Sequence, residues 1–398
     1  MSVKKSVVPR IQTALAEVNI PAWLFYGFQE LDPIATQILE FEPSKLSTRR
    51  WFYLVPMLGE PKKLVHQVES SILDHLPGGK KIYRSWQDVR SEVQYLLSGF
   101  PVVAMQYSDK GALPHVSRVD GGTIDLIRSF NTQVISSGDL IQHLESVWTI
   151  AQLEDHRSTA KTLAQIVQYT FRQAVKDILS HGETNEVALQ KLILELLGQE
   201  KLVTNHFPIV AVNKNSADPH YQVTEKHNSR IQENDFLLID LWAKTTREDS
   251  VYADITWTAF LGSKPPAQIQ DVFEIVQRAR DQGVSFLHER HANGSLPQGW
   301  EIDDAVRAII NAAGYGKYFT HRTGHNLGTD VHGNGVHFDN LETHDTRRVI
   351  EGTCYTIEPG IYLEGKFGIR SEINVYISDE GPKVTTPVQD QLIVLPIK

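Results

Sequence analysis

The sequence predicts an α+β protein of two domains, a compact α/β unit over 1–150 and a larger α+β unit over 151–398. Three observations carry that prediction. At 398 residues the chain is too long for one ordinary core. Up to residue 150, short apolar runs alternate with stretches of helical spacing. A long amphipathic block then gives way to strand-like runs that dominate the rest.

In order along the chain, WFYLV (51–55), KLVHQ (63–67) and VVAMQY (102–107) read as buried strands, and WQDVRSEVQYLLSG (86–99) as a helix between them. From Gln152 to about Glu200 the apolar spacing is helical, broken once at HGET (181–184). Strands follow from about 205, interrupted by helical blocks at 266–293 and 303–314. No low-complexity linker separates the two domains.

Composition narrows the function. A net charge of −9 without a basic run argues against nucleic acid as a partner. The single cysteine, Cys354, excludes an internal disulfide and a cysteine-based zinc site, and suits a reducing compartment. The opening MSVKKSVVPRIQTALAEV lacks the continuous apolar core of a secretory signal. No segment approaches the roughly eighteen apolar residues that span a bilayer. The expectation is a cytoplasmic protein that binds neither membrane nor nucleic acid.

Two segments share one internal geometry. In FLLIDLWAKTTREDSVYADITWT (236–258), apolar runs flank the turn-like TTRED, and Asp240 and Asp254 lie fourteen apart about Arg247. Symmetric pairing about that midpoint would set the two aspartates opposite each other on one face. In YTIEPGIYLEGKFGIRSEINVYI (355–377), Glu358 and Glu372 are also fourteen apart, about Gly365. On the return strand Arg370, Glu372, Asn374 and Tyr376 share a face that a buried sheet would make apolar. Either hairpin alone could be an ordinary surface hairpin. Together they embed four carboxylates in strand-like apolar runs, where unpaired charge is costly. Two divalent cations would neutralise them, and His325 would add one neutral nitrogen. An oxygen-rich set with one imidazole favours Mn, Co, Fe or Zn over a thiolate-type site.

His325 belongs to HRTGHNLGTDVHGNGVH (321–337), which holds four of the chain's sixteen histidines. His321 and His325 are four apart, yet the glycines between and after them argue for strand and loop, and HExxH is absent. His337 reads as a surface or rim histidine, and Asp249 as part of the turn tip.

IDLW, YADITWT, HRTGHNLGTDVH, TIEPGIY and GIRSEINV together resemble the M24 metallopeptidases of pita-bread fold, on the branch of Xaa-Pro aminopeptidases and Xaa-Pro dipeptidases (prolidases). The resemblance is close over 152–398, and 1–150 looks more loosely like the creatinase-type N-terminal domain of that branch. It implies that Asp240, Asp254, His325, Glu358 and Glu372 bind two divalent ions, manganese first among Mn2+, Co2+, Zn2+ and Fe2+, with Asp254 and Glu372 bridging. It makes Glu358 the general base, His332, His220 and His321 substrate-side catalytic histidines, and Arg370 a buttress for the ligands. It further implies a homodimer that hydrolyses the Xaa-Pro bond of dipeptides or peptide N-termini by metal-activated water. One departure is the aspartate spacing, longer here than is usual in the family, with the extra residues in KTTREDS at the turn tip. Three alternatives stay open: a creatinase-like hydrolase or metal-dependent lyase of small non-peptide substrates, a non-catalytic binding member of the fold, and an aminopeptidase of the methionine type.

Overall fold

The computed structural model describes residues 7–29, 31–41 and 47–398. The chain divides into two units, Met1–Glu145 and Ser146–Lys398.

In the first unit, β1 (Ala22–Gly27), β2 (Trp51–Pro56), β3 (Lys62–His66), β4 (Gly79–Tyr83), β5 (Val102–Met105) and β6 (Gln133–Ser136) form one mixed sheet in the order β4-β3-β2-β1-β5-β6. The strands expected at 51–55, 63–67 and 102–107 are β2, β3 and β5. Helices α1 (Val8–Glu17), α2 (Pro33–Ile38), α3 (Trp86–Leu96), α4 (Gly121–Arg128) and α5 (Gly138–Ile141) complete the unit. Alternate residues of β1 feed two separate cores. Trp23 and Phe25 pack with Ile11 and Leu15 of α1, and Leu24 and Tyr26 with Val89 and Val93 of α3. Burial of both faces is why β1 and β2 read as unbroken apolar runs. A capping box between Ser85 and Asp88 starts α3.

The second unit opens on α6 (Ile150–His181), begun by a Thr149–Gln152 capping box and ended by Gly182 in the left-handed region at φ 82°. After β7 (Thr184–Asn185) come α7 (Glu186–Gln199), β8 (Leu202–Val203), β9 (Ile209–Val212) and β10 (Arg230–Ile231). The hairpin β11 (Asp235–Thr245) and β12 (Ala253–Leu261) follows, then α8 (Ala267–Ala292) and α9 (Gly299–Ala312). The remaining strands are β13 (Asn326–Leu327), β14 (Cys354–Ile357), β15 (Gly360–Leu363), β16 (Phe367–Arg370), β17 (Ile373–Ser378), β18 (Gly381–Val384) and β19 (Ile393–Val394). One sheet runs β19-β12-β11-β8 with β9 also on β11, another runs β13-β14-β17-β18, and β15 pairs with β16. Leu237, Ile239, Leu241 and Ile255 pack against Leu163 and Val167 of α6. Tyr355, Ile357, Ile373 and Val375 pack against Val276 of α8 and Val306 of α9. Among the described residues no helix is long and apolar enough to cross a membrane.

The two acidic hairpins differ in register. In the second, Ile357 pairs with Ile373 and Gly360 with Arg370, so both ladders are symmetric about Gly365, as expected. Glu358 and Glu372 face each other in the gap between them. In the first, Asp240 pairs with Thr256 and Asp254 with Trp242, so the centre is residue 248 and the aspartates are diagonal neighbours, not opposite ones. The correction has a local cause: the Ser250 hydroxyl lies 2.7 Å from the carbonyl oxygens of both Thr245 and Arg247, closing a loop that takes more chain on its return side. An offset of two residues preserves the face, whereas an offset of one would have turned an aspartate away.

Candidate metal centre and active site

Period-two alternation sets the inner wall. Odd-numbered residues of β11 and β12 pack on α6 and α7, which leaves Asp240, Trp242, Asp254 and Thr256 on the opposite face. There Asp240, Trp242 and Asp254 line a cavity of about 400 Å3 together with His325, Glu358, Glu372 and Arg370. The structure thus gathers all five residues expected as ligands, and Arg370, from segments far apart in the chain.

The tightest group is Asp254, His325 and Glu372, whose ligand atoms all lie within 4.8 Å of one another. Nε2 of His325 is 3.3 Å from Oε1 of Glu358 and 3.8 Å from Oδ2 of Asp254. Nδ1 of His325 is 3.2 Å from the carbonyl oxygen of Asn326, which can only accept, so the ring hydrogen sits on Nδ1. Burial, then the charges of His332 and Arg322, hold this imidazole well below its ordinary pKa. A neutral ring therefore aims its Nε2 lone pair at carboxylate oxygens. Gly324 brings the segment close enough, since a Cβ there would stand 2.0 Å from the carbonyl oxygen of Thr356. The His325 amide donates to Thr356 Oγ1 at 2.9 Å, and the Thr356 amide donates back to the His325 carbonyl at 2.9 Å.

Side chains hold the carboxylates of Asp240, Glu358 and Glu372, whereas Asp254 is held through its backbone. Asp240 Oδ2 is paired with Arg370, whose Nε donates to Thr256 Oγ1 at 3.0 Å. That hydroxyl donates in turn to Glu372 Oε2 at 2.8 Å. Thr356 Oγ1 donates to Glu358 Oε1 at 3.0 Å. Asn374 clamps the backbone of Asp254, accepting from its amide at 3.0 Å and donating to its carbonyl at 2.8 Å. Asp240 Oδ1, Asp254 Oδ1 and Glu372 Oε1 are buried without a hydrogen-bond partner. Burial, then the neighbouring acids, pushes the Asp254 and Glu372 carboxyls well above the usual range. Burial likewise lifts Glu358 to about 7, against the pull of Arg370. Buried anions with unmatched oxygens, joined by a neutral imidazole, fit divalent cations, and the oxygen-rich donor set suits Mn, Co, Fe or Zn.

The other expected histidines occupy different positions. His332 sets its ring edge-on to His325, with centroids 4.3 Å apart and planes at 78°. His220 lies exposed at the cavity wall beside Pro219. His321 has both nitrogens engaged, Nδ1 2.7 Å from the carbonyl oxygen of Arg322 and Nε2 2.7 Å from the hydroxyl of Tyr362. Its Nδ1 must donate, so Tyr362 donates to Nε2 while accepting from Arg370 Nη1 at 2.9 Å. Burial, then Arg370, holds His321 down to about 3. His337, expected at the surface, is buried at 4% exposure: its Nδ1 accepts the Asn326 amide at 3.3 Å and its own amide donates to Asp345. The correction reflects the packing of the glycine-rich loop back against β13.

Sequence reasoning missed Thr256, Thr356, Tyr362 and Arg322. Arg322 lines the cavity, and among the described residues its side chain makes no ion pair.

Such a donor set, carried by two acidic hairpins and one glycine-flanked histidine, could hold divalent metal. The sequence profile of metallopeptidase family M24 matches residues 157–379, more than half of the chain, and the chain belongs to that family. Among its relatives, the Xaa-Pro dipeptidase of Lactobacillus delbrueckii subsp. lactis is 28% identical over 65% of this chain and 65% of its own length. The Xaa-Pro dipeptidase of Pyrococcus furiosus is 30% identical over 64% of this chain and 67% of its own length. The match thus spans about two thirds of these curated relatives. Among solved structures, the dipeptidase PepE of Mycobacterium ulcerans superposes with a TM-score of 0.69 at 19% identity, covering 98% of this chain and 97% of that one. At that identity the likeness speaks for the fold, which is the pita-bread architecture with an N-terminal domain that the sequence predicts.

Proposed function

We propose that this protein is a di-metal exopeptidase that hydrolyses the Xaa-Pro bond of dipeptides or of peptide N-termini in the cytoplasm. One observation carries the metal part: three buried carboxylate oxygens, on Asp240, Asp254 and Glu372, lack partners in a group where ligand atoms of Asp254 and Glu372 lie within 4.8 Å of a nitrogen of the neutral His325. Asp240, Asp254, His325, Glu358 and Glu372 would hold two divalent ions, with manganese the first candidate. Bound there, the ions would supply Lewis acidity and lower the pKa of water.

The chain's own groups would do the rest. Glu358, with a carboxyl lifted to about 7 by burial, suits a general base that takes a proton from the attacking water near neutral pH. Arg370 and Thr256 keep Asp240 and Glu372 in fixed rotamers. His332, and His220 across the cavity, would meet the substrate and stabilise charge on the carbonyl oxygen. His321, with both nitrogens occupied, would act through Tyr362 and Arg370.

The names of the relatives support Xaa-Pro specificity. The unmatched guanidinium of Arg322 favours dipeptides, since a free α-carboxylate would pair with it. Metal-reconstituted hydrolysis of Ala-Pro against Ala-Pro-Ala-Ala, with Ala-Ala and creatine as controls, tests the reading. Turnover of Ala-Pro alone is the expected result. Turnover of creatine, or of Ala-Ala at an equal rate, would refute it.

A further inference from the structure

We propose that Asp303 and Arg307, one turn apart on α9, are a positioning pair that sets His325 and Glu358 through the backbone of residues 319–323. The inference rests on the reading of His325 as ligand and Glu358 as base.

The pair is buried, with side-chain exposures of 0% for Asp303 and 14% for Arg307. Arg307 meets the carboxylate through two nitrogens, Nε to Oδ2 at 3.1 Å and Nη2 to Oδ1 at 2.9 Å. Its remaining donors leave the helix. Nη1 donates to the carbonyl of Phe319 at 2.9 Å, and Nη2 to that of His321 at 2.8 Å. The guanidinium also lies 4.1 Å from the centroid of the Phe319 ring.

Asp303 grips the next residue on the same side. Its Oδ1 accepts from the Thr323 amide at 3.0 Å and the Thr323 hydroxyl at 2.6 Å. Its Oδ2 accepts from the Asn340 amide at 3.0 Å. Residues 319, 321 and 323 are alternate positions of a segment that leads straight into His325, so the pair holds one edge of it at every second residue. Thr323 also reaches the base, since its carbonyl accepts from the Glu358 amide at 2.8 Å, while its amide is shared between Asp303 and the Phe338 carbonyl at 2.9 Å. Thr323 thus touches Asp303 through its amide and hydroxyl and Glu358 through its carbonyl, two residues before His325.

A buried ion pair is a poor device for stability, because an apolar pair of similar volume often serves as well or better. Here nearly every hydrogen bond of the pair beyond its own is spent on the segment that carries the site. Groups one step removed from a metal orient its ligands, and their loss typically weakens binding about ten- to a hundredfold.

The test compares the full-length wild type with Asp303→Asn, Arg307→Met and Thr323→Val. The last removes one hydroxyl at nearly constant volume and leaves the helix pair in place. Calorimetric titration with Co2+, the visible spectrum of the Co2+ form, thermal unfolding, and kcat and KM for Ala-Pro are read for each. The expected result is folded protein with Co2+ affinity about tenfold or more below wild type, an altered Co2+ spectrum and a fall in kcat that exceeds any change in KM. Should Asp303→Asn or Arg307→Met fail to fold, Thr323→Val decides. Wild-type Co2+ affinity and spectrum in Thr323→Val and in every folded variant of the pair would overturn the proposal. A wild type that neither binds Co2+ nor hydrolyses Ala-Pro would instead refute the functional reading beneath it.

Discussion

Nε2 of His325 and Oε1 of Glu358 lie 3.3 Å apart, and because the ring hydrogen is on Nδ1 the neutral imidazole turns its lone pair to that carboxyl. Asp240, Asp254 and Glu372 each bury a further oxygen without a hydrogen-bond partner, so acceptors outnumber donors in this group. A cation that binds only the folded state satisfies these acceptors and stabilises by mass action, about 2.7 kcal/mol at a hundred times its Kd. Chelator-treated protein should therefore melt several degrees below protein refilled with Mn2+, and elemental analysis of the refilled form should find close to two ions per chain. Equal melting temperatures together with a stoichiometry near zero would remove the metal reading.

Glu358 is the acid that the proposed function makes the general base. Its Oε1 is tied to Thr356, and burial has lifted its carboxyl to about 7. Glu358→Gln keeps the size and the Thr356 contact while removing the base, so hydrolysis of Ala-Pro should fall about a hundred- to ten-thousandfold. Circular dichroism should report an unchanged fold. Turnover within a few-fold of wild type would show that another group takes the proton.

How much of this was legible beforehand depended on the kind of signal. The acids stood out because each interrupts a strand-like apolar run in the sequence, where only a charged partner makes them tolerable. The second hairpin was legible to the residue because its turn is compact and centred on Gly365, at φ 72°. The first was misregistered because a side-chain hydroxyl, Ser250, shapes its loop, and no periodicity records that. The polar face of β16 and β17 was visible as an anomaly, and Arg370 on Asp240 and Asn374 on the Asp254 backbone now account for it. Thr256 and Thr356 stayed hidden because threonine is an ordinary strand residue. Their roles come from contacts across strands that only the fold brings together.

Arg370 balances part of the site's negative charge, contacting Asp240, Thr256 and Tyr362 with one planar fork. Arg370→Met would leave the Asp240 carboxylate buried without its cation. Breaking one side of a buried pair costs about 3–5 kcal/mol. Bound ions would offset part of that loss by supplying charge of the same sign. The variant should therefore be destabilised more strongly without metal than with saturating Mn2+, as measured by urea denaturation of both forms. An identical loss in the two forms would mean that Arg370 acts independently of the metal centre.

His156, on α6, gives a pH signature separate from catalysis. It is fully buried, with Nδ1 2.9 Å from the carbonyl oxygen of Tyr252 and Nε2 2.7 Å from the hydroxyl of Thr385. Burial, against the contact to Tyr252, pushes its pKa down to about 4. In the unfolded chain the same group titrates near 6.5. Between these values the unfolded state binds the extra proton, so stability rises with pH across that window. The contribution is complete above about 6.5, and acidification through the window removes about 3 kcal/mol. His156→Gln cannot titrate, so its denaturation midpoint should vary less between pH 4 and 6.5 than that of the wild type, even if its stability at neutral pH is lower. Parallel pH dependences in the two proteins would assign the acid sensitivity to other groups.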